Sequence, residues 1–261
     1  MGSAAARPGF TTQDPPPYCC SMIKYAPLVG QAFPYTGAKM QLSRDWYPAP
    51  EYPIILEPFA GSACYARMYH WYQILLVDQN PAITRIWKLL QTLDLRANEL
   101  PDWFDTVPQH LAQDVRDLLG LWASRADRAP RQKMSPWAHL YPDQFWNPKV
   151  KRRLIEQAPY LRHWHICAGS YEFLPDIEAT WFIDAPYQNK PGLYPYCRLD
   201  YEALRTWVLS RRGQIIVCEG QGADWLDFQP LTPGRNKTGQ RSGEIGAGEV
   251  VWYRQNNRRL H

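Results

Sequence analysis

The sequence predicts an α/β fold built on a parallel sheet, and three observations carry that prediction. First, residues 52–56, 74–77, 180–183 and 214–218 are short apolar runs of strand length, with little of the alternation that a half-solvated strand would show. Second, apolar residues recur at helical spacing between the runs, as at Ile83, Ile86, Leu89, Leu90 and Leu93. Third, the first run ends in a glycine-containing turn and later runs end on an aspartate. Strand, turn, helix, strand, acid, helix is the order of a parallel α/β sheet.

Taken in order, residues 52–56 (Tyr-Pro-Ile-Ile-Leu) read as a buried strand, and Glu57-Pro58-Phe59-Ala60-Gly61-Ser62 as the turn after it. A helix is expected from about Ala63 to Trp71, then a strand over residues 74–77 closed by Asp78. After the helix carrying Ile83 to Leu93, an amphipathic helix is expected from Asp105 to about Ala126, with Val107, Leu111, Val115, Leu118, Leu119 and Trp122 on one face. Residues 125–146 are basic and rich in Pro and Trp without a clean period, which reads as an inserted lobe or long loop rather than core. Asn147 to about Ala158 reads as a helix bearing Lys149, Lys151, Arg152 and Arg153. Strands return at 165–167 and 180–183, a helix at 199–211, a buried strand at 214–218, and a closing strand at 249–253.

Composition narrows the class. The 261 residues are 45% hydrophobic and 21% charged, ordinary for a globular protein. The net charge of +4 is unevenly spread: between Arg125 and His165 nine Lys/Arg face three Asp/Glu, a local +6 that leaves −2 for the rest. A basic segment on a near-neutral body suggests a surface facing phosphates. The 12 Trp and 16 Tyr supply core mass and also stacking surfaces for bases. Cys19, Cys20, Cys64, Cys167, Cys197 and Cys218 include no CxxC pair and no zinc-ligand spacing. Free thiols, a reducing cytoplasm and no metal site are therefore expected. No apolar run reaches the ~20 residues of a membrane helix, and the first residues lack a signal-peptide layout.

The chemistry concentrates at strand ends. Neither GxGxxG nor GxxxxGK[ST] occurs, so no strand leads into a phosphate cradle. The first strand runs instead into an acid and one tight glycine turn, at the edge where doubly wound sheets bind nucleotide-like ligands. Asp78, 21 residues after Glu57, can accept hydrogen bonds from ribose hydroxyls there. An acid without a pyrophosphate cradle favours a nucleoside lacking a diphosphate, such as S-adenosylmethionine. The second cluster, Asp184-Ala185-Pro186-Tyr187, places a carboxylate, a rigid turn and an aromatic ring after the strand 180–183. A carboxylate and a backbone carbonyl accepting both hydrogens of an exocyclic amine draw its lone pair out of ring conjugation. An adjacent ring can stack on a base taken out of the duplex.

With these clusters in order, the chain resembles the Dam-type DNA adenine-N6 methyltransferases, most closely their compact phage and prophage members. Phe33-Pro34-Tyr35-Thr36-Gly37-Ala38-Lys39 is similar to the family's PYxGGK motif, residues 57–62 to its (D/E)PFxGSG loop, and Asp78-Gln79-Asn80 to its acidic motif. Ser170-Tyr171 sits where the family has a short cofactor-adenine motif, and residues 184–187 stand for its DPPY. The resemblance spans about residues 25 to 254. It implies a Rossmann-like S-adenosylmethionine-dependent methyltransferase sheet with an inserted, mainly helical DNA-recognition lobe. The division it implies is a tail over 1–22, a catalytic domain over 23–100 and 161–256, and the lobe over 101–160.

By that resemblance Tyr35, Gly37, Lys39, Glu57, Pro58, Phe59, Ala60, Gly61, Asp78, Ser170, Tyr171 and Asp184 would line the S-adenosylmethionine site. Asp184, Ala185, Pro186 and Tyr187 would hold the target amine, with double-stranded DNA as the partner. Arg131, Lys133, Lys149, Lys151, Arg152 and Arg153 would meet its phosphates. The chain departs from the family at Ala38 and Ala63, each in place of a glycine, and at Ala185, in place of the first proline of DPPY. Ala185 keeps the backbone carbonyl and loses the fixed φ of proline. An Asp at the head of the motif favours adenine, while cytosine N4, another amine, or a DNA-binding protein of this fold with little catalysis remain open.

Overall fold

The computed structural model describes residues 26–37, 46–125, 127–189, 198–231 and 248–254. Lys39, Ala38, the 1–22 tail, Cys19, Cys20 and Cys197 lie outside them. Among the described residues seven strands form one mixed sheet: β1 (Ile54–Glu57), β2 (Gln73–Asp78), β3 (His165–Ala168), β4 (Ala179–Ile183), β5 (Gly213–Gly220), β6 (Gln229–Pro230) and β7 (Glu249–Arg254), in the order β3-β2-β1-β4-β5-β7-β6. β1 pairs parallel with β2 and β4, and β2–β3 and β4–β5 are parallel as well. β7 runs antiparallel to both β5 and β6. The sheet is wound in both directions from β1, compatible with a Rossmann-like fold, so the β1/β4 boundary is its topological switch point.

Among the described residues five α-helices accompany the sheet: α1 (Cys64–Met68), α2 (Pro81–Leu90), α3 (Gln113–Trp122), α4 (Pro148–Gln157) and α5 (Tyr201–Ser210). Three begin on side-chain caps that satisfy otherwise orphan amides. Asn80 accepts from the Ala82 N–H, Asn147 from Lys149 and Val150, and Asp200 from Glu202 and Ala203. Pro81 and Pro148 stand at the first helical position, where their missing N–H costs nothing.

The strands feed two hydrophobic clusters, one on each face. Ile55, Ile74, Leu76, Phe182, Ile216 and Cys218 join α1, α2 and α3 in the larger cluster, while Leu56, Trp181, Ile183, Ile215 and Val217 join α5 and Tyr171 in the smaller. Successive residues point to opposite faces, and both faces are covered, which is why these strands read as unbroken apolar runs.

Two expectations are corrected. The helix expected from Asp105 begins only at Gln113. Before it, Thr106 bridges to Lys133, the Val107 N–H donates to the Gln132 carbonyl (2.8 Å) and the Met134 N–H to that of Asp105 (2.8 Å). Pro108 has no N–H to give a helix interior, so this stretch pairs with residues 132–134 instead. The stretch 125–146 is also not all outside the core: Met134, Ala138, Phe145 and Trp146 are buried in the larger cluster together with sheet residues. Trp146 satisfies its indole N–H on the Pro101 carbonyl at 2.9 Å, which lets it be fully buried.

Among the described residues no helix is long and apolar enough to cross a membrane. No group of three or more His, Cys, Asp or Glu among them is placed to hold a metal ion. Cys64 and Cys218 are buried and Cys167 exposed, each outside any disulfide.

Candidate functional site

Parallel pairing delivers the carboxyl ends of β1, β2, β3 and β4 to one edge, and with them the segments that come after each strand. β1 ends on Glu57, and Pro58 cannot continue its ladder. The turn after it is held on several sides. The Ala60 N–H donates to the Val77 carbonyl (3.0 Å), and the Gly61 N–H to Asp78 Oδ2 (2.9 Å). The Gly61 carbonyl accepts from the Trp87 indole at 2.9 Å. Gly61 has φ +44°, and a Cβ there would lie 3.3 Å from the Tyr35 ring. Glycine therefore lets Tyr35 sit over the turn. Tyr35 meets Phe33 edge-on, and Phe33 in turn meets Trp87.

Ala63, where the resemblance places the loop's last glycine, sits at φ +47° and ψ +50°, the one left-handed non-glycine among the described residues. The local fold asks for a conformation that alanine adopts only at a cost. No family model matches the chain, and no curated protein matches it.

Asp78 ends β2 and bridges two loops. One oxygen accepts from Gly61 and the other from the Asn80 N–H at 2.8 Å. Burial pushes its carboxyl up to about 6, against the two backbone hydrogen bonds, which pull it down. Glu57 lies deeper, 2% exposed, with Oε1 accepting the Ala66 N–H at 2.6 Å. Burial, partly opposed by that bond and reinforced by the nearby Asp184 carboxylate, pushes it up to about 8.

After β3, the Gly169 N–H bonds the Asp78 carbonyl (3.1 Å), tying this edge of the sheet to the acid. Ser170 caps the short turn Tyr171–Phe173 and also bonds Glu172. Buried Tyr171 lies 5.3 Å, centroid to centroid, from Phe59 of the first turn and edge-on to Trp207 of α5. The turn after β1 and the segment after β3 thus touch through their rings.

Asp184, Ala185, Pro186 and Tyr187 come after β4, across the switch point from the Glu57 turn. Ala185 is buried in the smaller cluster. Three side chains that the sequence did not single out converge on this turn. The Tyr201 hydroxyl donates to the Pro186 carbonyl (2.8 Å), the Tyr187 hydroxyl donates to Glu249, and Glu219 accepts the Gln188 N–H at 3.1 Å. Burial first, then the Asp184 charge, pushes the Tyr187 hydroxyl far above its ordinary value. A signal for Glu219 was present: it closes the apolar run 214–218 as Asp78 and Asp184 close theirs.

The six basic residues do not share one situation. Lys133 and Arg152 are exposed, and Lys149, 83% exposed, reaches Asp143 at 3.1 Å. Arg131 pairs with Asp127. Lys151 is drawn inward, its Nζ donating to the Leu100 carbonyl and to Asp102 at 2.7 Å each. Arg153 donates to the Gln31 carbonyl (2.8 Å) and lies over the Trp122 ring, with burial lowering its pKa.

Proposed function

We propose that the chain is an S-adenosylmethionine-dependent DNA methyltransferase of the Dam type, acting on the N6 amine of adenine. The observation that carries this reading is the meeting of the Glu57–Gly61 turn and the Asp184–Tyr187 turn on the two sides of the β1/β4 switch point, with Asp78 and Tyr171 on the neighbouring strand ends. Ligands of doubly wound sheets bind at this place. The parallel core, with one reversed strand beyond β5, fits the sheet that the resemblance implies.

The residues present suit this cofactor. Asp78 and Asp184 close parallel strands at the same edge, and carboxylates there favour a cationic nucleoside and disfavour a diphosphate. Each Asp78 oxygen accepts one backbone amide, and a carboxylate oxygen has a second lone pair for a ribose hydroxyl. Tyr35, Phe59, Gly61 and Tyr171 supply rings and open backbone around it. When bound, S-adenosylmethionine supplies an electrophilic methyl group. The chain's own part is to present the amine. Asp184 accepts one hydrogen of the flipped adenine's amino group and the Ala185 carbonyl accepts the other, which frees the nitrogen lone pair for attack. The Tyr187 ring, fixed by Glu249, stacks on the base. In this reading residues 101–160 are the recognition lobe, and Lys133, Lys149 and Arg152 have the exposure that phosphate contacts need.

Incubation of the purified protein with S-adenosylmethionine and duplex DNA, with digestion to nucleosides afterwards, tests the proposal. N6-methyladenine is expected. N4-methylcytosine would move the target base, and no methylated nucleoside would remove the enzyme reading.

A further inference from the structure

We propose, resting on the function above, that Glu219 is a positioning residue for the Asp184–Tyr187 turn and takes over the role of the absent proline at Ala185. Glu219 ends β5, one strand from β4, and is fully buried. No Lys, Arg or His pairs with it among the described residues. Its hydrogen bonds come from the Gln188 and Gly220 N–H groups to Oε1 (3.1 and 2.8 Å) and from the Trp225 indole to Oε2 (3.0 Å), with Gln188 also 3.3 Å from Oε2. A buried carboxylate without a cation is expensive to keep, and burial raises its pKa. What the fold gains in return is a fixed Gln188 amide, directly after the turn.

The clamp continues through neighbouring residues. The Gln188 side chain exchanges two hydrogen bonds with Asp224, at 3.0 and 3.1 Å. Tyr201 holds the Pro186 carbonyl and Glu249 the Tyr187 hydroxyl. At Gly220 a Cβ would fall 2.8 Å from Asn189 Oδ1 and 3.0 Å from the Tyr187 ring, so glycine admits the turn against β5. Residues 186, 187 and 188 are thus each pinned from a different element. Proline at 185 would restrict the same turn through φ; here side-chain hydrogen bonds from α5, β5 and β7 restrict it instead.

The test is a double-mutant cycle of Glu219→Gln with Ala185→Pro, read by single-turnover methyl transfer and by amide exchange over residues 186–189. Glu219→Gln keeps the side chain's size but turns an amide N–H₂ toward donors. The rate is expected to fall roughly 10- to 100-fold, the scale of a misplaced reacting group. Affinities for S-adenosylmethionine and DNA should stay within about twofold of wild type. Ala185→Pro should recover most of the lost rate in the Glu219→Gln protein while changing wild type little, and exchange over 186–189 should rise as the rate falls and fall as it recovers. Tyr201→Phe, which removes one hydroxyl, should give a smaller loss of the same kind and serves if Glu219→Gln does not fold. A wild-type rate and wild-type exchange in Glu219→Gln, or equal effects of Ala185→Pro in both backgrounds, would overturn the proposal. If wild type methylates no DNA, the functional reading fails, and the exchange data alone still decide whether Glu219 orders the turn.

Discussion

Glu57 gives the protein a stability that depends on pH. Its carboxyl is buried and held neutral up to about pH 8, whereas in the unfolded chain it ionises near the ordinary glutamate value of ~4.3. Between those values the folded state binds more protons than the unfolded state, so stability falls as pH rises, and above about 8 the loss is complete. One pKa unit is worth about 1.4 kcal/mol, so the window withdraws on the order of 5 kcal/mol, a large share of the ~5–15 kcal/mol typical of a folded domain. Asp78, raised to about 6, adds to the fall below that pH in the same direction. Glu57→Gln keeps an oxygen for the Ala66 N–H and has no charge to bury. Denaturant unfolding at pH 5, 6, 7 and 8.5 should show the variant losing far less stability than wild type. At pH 8.5 it should be the more stable protein by several kcal/mol. On the proposed function, a cationic cofactor beside Glu57 favours the ionised form, so its binding should release protons below pH 8. Calorimetry in buffers of different ionisation heat measures that release. Parallel stability curves for the two proteins would refute the reasoning.

Other perturbations have equally definite outcomes. Ala63→Gly removes a left-handed alanine, worth ~1–2 kcal/mol, against ~0.5–1 kcal/mol of glycine entropy. A gain of up to ~1 kcal/mol, about 2–4 °C in thermal midpoint, should result; a lower midpoint would contradict the strain. Asp78→Asn loses charge-assisted acceptors, and S-adenosylmethionine affinity measured by calorimetry should drop roughly 10- to 100-fold with DNA affinity intact. Unchanged cofactor affinity would remove Asp78 from the site. Replacing Lys133 and Arg152 together with Ala should flatten the slope of log K for DNA against log salt by about 1–2 units. Lys151→Ala should leave that slope alone and lower the thermal midpoint instead, since its ammonium is bound to Leu100 and Asp102. A flatter slope for Lys151→Ala would reverse that assignment.

The sheet was readable because its strands are buried on both faces. Residues 74–77, 180–183 and 214–218 carry no polar alternation to blur them, and each strand covers its run and extends past it by no more than two residues at an end. β6 was not readable: two exposed residues, Gln229 and Pro230, are a strand only because β7 pairs with them. The irregular stretch 125–146 hid its core residues because Phe145 and Trp146 are buried without any helical or strand period to announce them. In the site, Glu57, Asp78 and Asp184 were legible as acids closing apolar runs or opening a glycine turn. Tyr201 and Glu249 were not, since their role comes from hydrogen bonds across 15 and 62 residues of chain. The left-handed Ala63 was signalled only through the resemblance, which puts a glycine there; alanine by itself gives no sign of the conformation its neighbours impose.

Long-read sequencing of DNA from cells expressing the wild-type chain, beside cells expressing Asp184→Ala, tests the central claim most directly. Asp184 comes directly after β4 at the switch point and is only partly buried, so the variant should fold and still bind DNA. The account predicts N6-methyladenine at a recurring sequence context in DNA from the first cells and none in DNA from the second. Methylation that persists in the variant to within about tenfold, or DNA unmodified by a wild-type protein that binds S-adenosylmethionine, would contradict it.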